Sequence, residues 1–186
     1  MKRCKWCNLD NPKYIEYHDH EWGIPNFEDQ YLFEMLILES FQAGLSWECI
    51  LNKRDFFKEA YDNFDIDKIC MYDEIKIEEL LNNKNIIRNK LKIRASINNA
   101  KIFKNISYEY GSFYNYLKQF TYEKIIFENN ITSSPLSDVI SKDLIKRGMK
   151  FVGTTMIYSY LQAIGIINSH DNECFMYQKK KKTSIN

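Results

Sequence analysis

The sequence predicts an all-α fold, and two observations carry that prediction. Its 186 residues include only six glycines and three prolines, and apolar positions recur every three or four residues with no run of strict alternation. A chain of this length is expected to form one domain, or two tightly joined lobes, with a proper core, and residues 1–186 are read here as a single domain. The 26 basic residues nearly balance the 25 acidic ones, so composition alone points to neither nucleic acid nor membrane. No apolar run is long enough to cross a bilayer, and the first residues are charged, which predicts a cytoplasmic protein with no membrane partner. Five cysteines, an odd number at irregular spacing, argue for reduced thiols or metal ligands rather than a disulfide framework.

The first 25 residues are dense in chemistry, with Cys4, Cys7, His18 and His20 interleaved with Trp6, Tyr14, Tyr17 and Trp22. Near the other end, within 166–178, His170 and Cys174 are spaced to share one face of a helical turn. All three histidines fall in these two terminal groups. Two ligands from each end would close a tetrahedral shell around a structural zinc and tie the ends together. On residue chemistry alone the choice stays open between Cys4 and Cys7 and between His18 and His20, against a bland reading of scattered thiols and surface histidines.

The stretch Leu38–Trp47, LESFQAGLSW, organises the middle of the chain. Leu32, Met35 and Leu36 form an apolar helical stripe, and Glu39 falls on it, so a carboxylate is aimed inward. Gly44 is expected to stop that helix in a left-handed conformation, with Ser46 capping the next and Trp47 following at once. An inward carboxylate one short loop from a flat ring suits a planar, hydrogen-bonding ligand. The competing reading is a core carboxylate satisfied by an amide or an arginine.

Residues 46–61 predict a second helix, and Asp65 is expected to cap a third. Residues 76–105 read as a helical hairpin, with halves around Glu78–Leu81 and from Ile87 onward, joined by Asn82, Asn83, Lys84 and Asn85 in a left-handed turn. Every charged residue from Asn82 to Asn105 is basic, including Arg88 and Lys92. Exposed N–H groups at a helix start beside such a strip suit a phosphate, although a charged strip is also the ordinary solvated face of a helix. The aromatics of Tyr108–Phe127 are read as packing. Ser137 is expected to cap a helix stopped at Gly148, and a last helix runs from Thr154 to Ile164, before Gly165. The basic tail at 179–186 is expected to be flexible.

Taken together, RCKW, YHDHEWGIP, LFEMLILESFQAGLSW, IIRNKLKI and KRGMKFVGTTMIYSYLQAIGIINSH resemble the bacterial 3-methyladenine DNA glycosylases of type I, from Met1 to about Cys174. The resemblance implies a helix-hairpin-helix glycosylase fold with a zinc site joining the N- and C-terminal segments. It implies Cys4, His18, His170 and Cys174 as ligands, leaving out Cys7 and His20. It implies Glu39 as the residue that hydrogen-bonds the base, with Trp47 and Tyr17 against its faces or edge and Tyr14, Trp6 and Trp22 as further wall. Gly44 and Leu45 match the positions that fill the gap in the duplex, and Asn85, Arg88 and Lys92 belong to the hairpin that would grip DNA. The expected partner is double-stranded DNA carrying 3-methylated purines, the expected product an abasic site, and the expected state a monomer. Two departures stand out: Asn85 replaces a glycine usual in the hairpin, and Ser40 and Phe41 replace glycine and glutamine, so Phe41 either alters the pocket rim or packs. The rival classes are a noncatalytic zinc-dependent DNA-binding protein and a hydrolase with a catalytic zinc.

Overall fold

The structure is a computed structural model and describes residues 1–121 and 124–177; the expected basic tail at 179–186 lies outside the described residues. Helices dominate, as predicted: α1 Pro12–His20, α2 Asp29–Gln42, α3 Trp47–Ala60, α4 Ile66–Cys70, α5 Glu74–Asn82, α6 Lys90–Tyr110, α7 Phe113–Leu117, α8 Pro135–Lys146 and α9 Thr154–Ala163. Their starts follow the local chemistry of short polar side chains. Asn11, Ser46, Asp65, Asp73, Asn89, Ser112 and Ser134 each accept a backbone N–H from the first turn that follows.

Helix α2 is the axis of the molecule. The expected stripe understates its burial, because every residue from Leu32 to Phe41 is buried, and it packs against α3, α6, α7 and α9. A helix apolar on all sides belongs in a core, and this one carries Glu39 into it. Its end behaves as expected, with Gly44 left-handed at φ +85° and Ser46 Oγ accepting the Cys49 N–H at 3.2 Å.

Several boundaries differ from the sequence reading. Ser137 is not the cap of α8. Ser134 is, and Ser137 stands three residues on, returning a hydrogen bond to the Ser134 N–H at 2.9 Å in a reciprocal capping box. The hairpin loop between α5 and α6 contains no left-handed asparagine. Instead Asn83 Oδ1 accepts the Asn85 N–H at 2.9 Å, and α6 starts at Lys90 rather than Ile87 because Asn89 caps it. The left-handed run occurs earlier, at Asp62, Asn63 and Phe64, where it turns Phe64 into the core. A two-residue parallel ladder, β1 Ile126–Phe127 with β2 Ile167–Asn168, went unsignalled, since two residues show no alternation.

That ladder and one glycine bring the ends together. A Cβ on Gly165 would lie 2.4 Å from the backbone nitrogen of Pro25, so only glycine lets the end of α9 press on the chain leaving the N-terminal segment. The predicted terminal segments are adjacent as a result. The Phe175 N–H also donates to the Lys2 carbonyl at 2.9 Å.

Candidate active site and metal centre

A cavity of about 310 Å³ opens between α1, α2, the start of α3 and α9. Tyr14 and Tyr17 reach it from one face of α1, Glu39 and Gln42 from the last turn of α2, and Trp47 from the first position of α3. Trp6 and Trp22, on either side of α1, complete an aromatic wall. All six residues expected to surround a base thus line one cavity. Tyr17 and Trp47 lie 5.3 Å apart at 45°, and Trp6 lies 5.3 Å from Tyr14 and 4.7 Å from Trp22.

Glu39 is only 5% exposed and makes no hydrogen bond or ion pair among the described residues. Burial pushes its carboxyl up to about 8. Trp47 Nε1 is also buried without a partner. The Tyr14 and Tyr17 hydroxyls have no protein partner among the described residues either, and burial raises both phenols, Tyr14 to about 12. A carboxyl, two hydroxyls and an indole N–H, none with a protein partner among the described residues, line one cavity. Such a lining is costly unless a ligand completes its hydrogen bonds.

The rest of the lining was not foreseen. Ser159 and Gln162 from α9, Asn130 after β1, and Ser169 and Asp171 after β2 bring a polar surface to the cavity. The spacing of Ser159 and Gln162 on the last helix was a usable signal, whereas Asn130 and Asp171 sit in loops with no periodicity to read. Phe41 is fully buried and packs 4.9 Å from Phe57, so this departure from the family pattern belongs to the core and not to the pocket rim.

Behind the Trp6 and Trp22 wall, Cys4, His18, His170 and Cys174 converge, fully buried, with their donor atoms all within 4.8 Å of one another. The Cys4 Sγ–His170 Nδ1, Cys174 Sγ–His18 Nε2 and Cys174 Sγ–His170 Nδ1 separations are 3.4, 3.5 and 3.7 Å. Tetrahedral zinc with the usual bond lengths would produce edges of about 3.4–3.8 Å, so the donor set fits a metal ion. Each imidazole has its outer nitrogen held. His18 Nδ1 lies 2.8 Å from Asp19 Oδ1, and His170 Nε2 lies 3.3 Å from the Trp22 carbonyl. Asp19 is itself gripped by Arg3 at 2.6–3.1 Å, which holds its carboxyl below the usual range. Burial raises the Cys4 thiol and lowers the His18 imidazole. Cys7 instead points at the Tyr14 carbonyl, 3.7 Å away, and His20 is exposed on the surface of α1, so geometry makes the choices that residue chemistry left open.

The expected DNA-facing residues divide. Gly44 is exposed and Leu45 is 39% exposed, on a loop that begins four residues after Glu39. Lys92 does not join an exposed strip. It is buried, and its ammonium donates to the Phe41 and Ala43 carbonyls at 2.8 and 2.7 Å, closing the C-terminal end of α2 where the helix dipole favours a cation. Arg94 and Lys104 pair with Glu74 and Asp67. Arg88 makes no ion pair among the described residues. The expected open helix start is also absent at α6, because Asn89 caps it and both backbone groups of Asn85 are engaged, its carbonyl by Lys53 Nζ at 3.0 Å. Helix α9, by contrast, is preceded by Gly153 and has no side-chain cap.

A predominantly helical scaffold that sets a buried carboxyl without a protein partner among aromatic rings is suited to a flat, positively charged heterocycle. Comparison with known proteins narrows that class. Residues 6–177 match the methyladenine glycosylase family, and the chain belongs to it. It is 41% identical to DNA-3-methyladenine glycosylase 1 of Escherichia coli (strain K12), over 97% of this chain and all of that protein. Among solved structures it is similar to a 3-methyladenine DNA glycosylase I with a TM-score of 0.89 and 40% identity, covering 94% of this chain and 98% of that one. A variant of such a glycosylase, solved in complex with 3-methyladenine, also superposes with a TM-score of 0.89, at 32% identity over 94% of this chain and 97% of its own.

Proposed function

We infer that the chain is a base-excision repair glycosylase that hydrolyses the N-glycosidic bond of 3-methyladenine in alkylated DNA and leaves an abasic site. The observation that carries this reading is Glu39, a buried carboxylate with no protein partner facing a cavity walled by Tyr17 and Trp47. A stacked base is out of reach, so the nucleotide is turned out of the duplex at a cost of a few kcal/mol. Leu45, on the exposed loop after α2, fills the gap and offsets part of that cost.

Methylation at N3 leaves the base cationic and therefore a good leaving group. Beside that cation Glu39 gives up the proton that burial otherwise holds on it, accepts hydrogen bonds from the amino edge of the base and favours its charge, and the rings of Trp47 and Tyr17 add cation-π attraction. Recognition thus selects the damaged base by charge, and little acid catalysis is required. Among the described residues no lysine lines the cavity, which supports simple hydrolysis without a covalent intermediate and without cleavage of the backbone.

Cys4, His18, His170 and Cys174 would hold a structural zinc. With four protein ligands the shell is closed, so the ion supplies a tie between the two ends of the chain rather than reaction chemistry. The duplex is held as a partner by Arg88 together with Gly44 and Leu45. The enzyme works as a monomer in the cytoplasm, where its thiols stay reduced.

The test is base release from methylated duplex DNA, with the free base identified by chromatography, for the wild type and Glu39→Gln. Release of 3-methyladenine that falls about 100-fold or more in the variant, at a melting temperature no lower than wild type, is the expected result. A folded, metal-loaded wild type that releases nothing leaves the noncatalytic DNA-binding reading in its place.

A further inference from the structure

We propose that Arg3 is a positioning residue for the metal centre: it fixes Asp19, and through it His18, so that the donors stay placed for zinc. This rests on reading Cys4, His18, His170 and Cys174 as a zinc site, and it names a residue outside that set that decides how tightly the ion is kept. His18 is a ligand only if the nitrogen it turns to the cluster carries a lone pair. Its Nδ1 lies 2.8 Å from Asp19 Oδ1, and a carboxylate only accepts, so the imidazole proton resides on Nδ1 and Nε2 presents its lone pair. The Cys4 N–H points at the same Nε2, 3.2 Å away, which agrees with this tautomer.

Asp19 does not do this alone. It follows His18 near the end of α1, and a carboxylate there can rotate toward water instead of the ring. Arg3 removes that freedom. Its Nε donates to Oδ1 at 2.8 Å and its Nη2 to Oδ2 at 2.6 Å, so one planar fork holds both oxygens. Oδ1 is thereby shared between the guanidinium and the imidazole. The Arg3 side chain is 20% exposed and that of Asp19 9%, so water competes little for either.

Arg3 also reaches the other half of the cluster. Its guanidinium carbon lies 5.9 Å from the centre of the Phe175 ring, and the Phe175 N–H donates to the carbonyl of Lys2, the residue before Arg3, at 2.9 Å. Arg3 precedes Cys4, Asp19 follows His18 and Phe175 follows Cys174, so one side chain joins the chain neighbours of three of the four donors. The fourth is joined separately, since Asp171, which follows His170, accepts the N–H of Lys5, which follows Cys4, at 2.8 Å. An ion pair that served stability alone could lie anywhere on the protein. This one lies where each contact fixes the approach of a donor, and donors already placed lose less freedom when the ion is taken up.

The experiment measures the zinc affinity of the zinc-loaded protein by competition with a chromogenic chelator, for wild type, Arg3→Met, Asp19→Asn and the double variant. Arg147→Met is the control, because Arg147 pairs with Glu109 of α6 and Asp143 of α8, neither of which belongs to the cluster or its chain neighbours. The dissociation constant is expected to rise at least about tenfold in each single variant, with the double variant within about threefold of the weaker single one and Arg147→Met within about twofold of wild type. Arg3→Lys, which keeps the charge and loses the paired donors, is expected to lie between Arg3→Met and wild type, and carries the same test if Arg3→Met does not fold. An equal loss in Arg147→Met overturns the assignment, since Arg3 would then be a general support of the fold. Losses that multiply in the double variant overturn the route through Asp19. A wild type that binds no zinc overturns the zinc reading and this assignment together, whereas a zinc-binding wild type matched by Arg3→Met overturns the assignment alone.

Discussion

The four-residue cluster and the base cavity share a wall, since Trp6 lies 5.2 Å from His18 and Trp22 lies 4.5 Å from His170. Both bury polar groups, yet the two regions treat them in opposite ways. In the cluster, thiols and imidazoles face one another, and the outer nitrogens of both rings find Asp19 or a carbonyl. In the cavity, Trp47 Nε1 is buried without a partner, and Glu39 and the Tyr14 and Tyr17 hydroxyls have no protein hydrogen-bond partner among the described residues. Groups that complete one another contribute stability. Groups left incomplete reduce it and become binding sites when the missing partner arrives.

Variants in the two regions should therefore separate stability from activity. The largest effect is expected in the cluster. Cys174→Ser removes one donor from a closed shell, and loss of metal is expected to lower Tm by on the order of 10 °C, with the metal measured directly and melting followed by circular dichroism. An unaltered Tm in a metal-free variant would break the comparison, because the cluster would then not be a stabilising site.

In the cavity the sign reverses. Glu39 is raised from 4.5 to about 8 by burial, so between those pH values the folded protein holds a proton that the unfolded chain has lost. Its contribution to stability is most favourable below about pH 4.5 and declines as pH rises toward about 8, where the buried group ionises. Glu39→Gln carries no such charge. The variant is expected to melt at or above the wild-type temperature near pH 8.5, with the gap closing toward pH 5, as thermal scans across that range would reveal. A gap independent of pH would sink this account of the cavity.

The smallest of these effects is expected from Lys92, which borders neither region directly but holds the loop that leaves the cavity. Lys92→Met loses two charge-assisted bonds to the Phe41 and Ala43 carbonyls, at a cost of about 1–3 kcal/mol. Loosening the Gly44–Leu45 loop should slow release from duplex DNA by about tenfold. Affinity for free 3-methyladenine should hold, since Glu39 and the aromatic wall are untouched. Equal losses in both measurements would show that Lys92 supports α2 in general and not the loop.

Much of this was legible in local chemistry. Caps at Ser46 and Asp65, the left-handed stop at Gly44 and an inward Glu39 follow from residue type and helical spacing, because they depend on neighbours within a turn or two. The same short range explains the misses. Lys92 looked like part of a solvated basic face, and nothing within its own helix shows that the end of α2 waits for its ammonium. Asn82, Asn83 and Asn85 offered a left-handed turn that an Asn83 side-chain bond made unnecessary.

By itself, then, the sequence determined the helices, most of their ends, and the presence of one carboxylate in an apolar setting and of ligand-type residues at both termini. Only the tertiary structure chose Cys4 over Cys7 and His18 over His20, left Glu39 without a protein partner among the described residues, and brought Asn130, Ser169 and Asp171 to the same cavity as the aromatic rings. The physical reason is one of range. Periodicity reports which way a side chain points from its own element, whereas coordination and cavity chemistry depend on atoms from segments more than 100 residues apart meeting within a few ångströms.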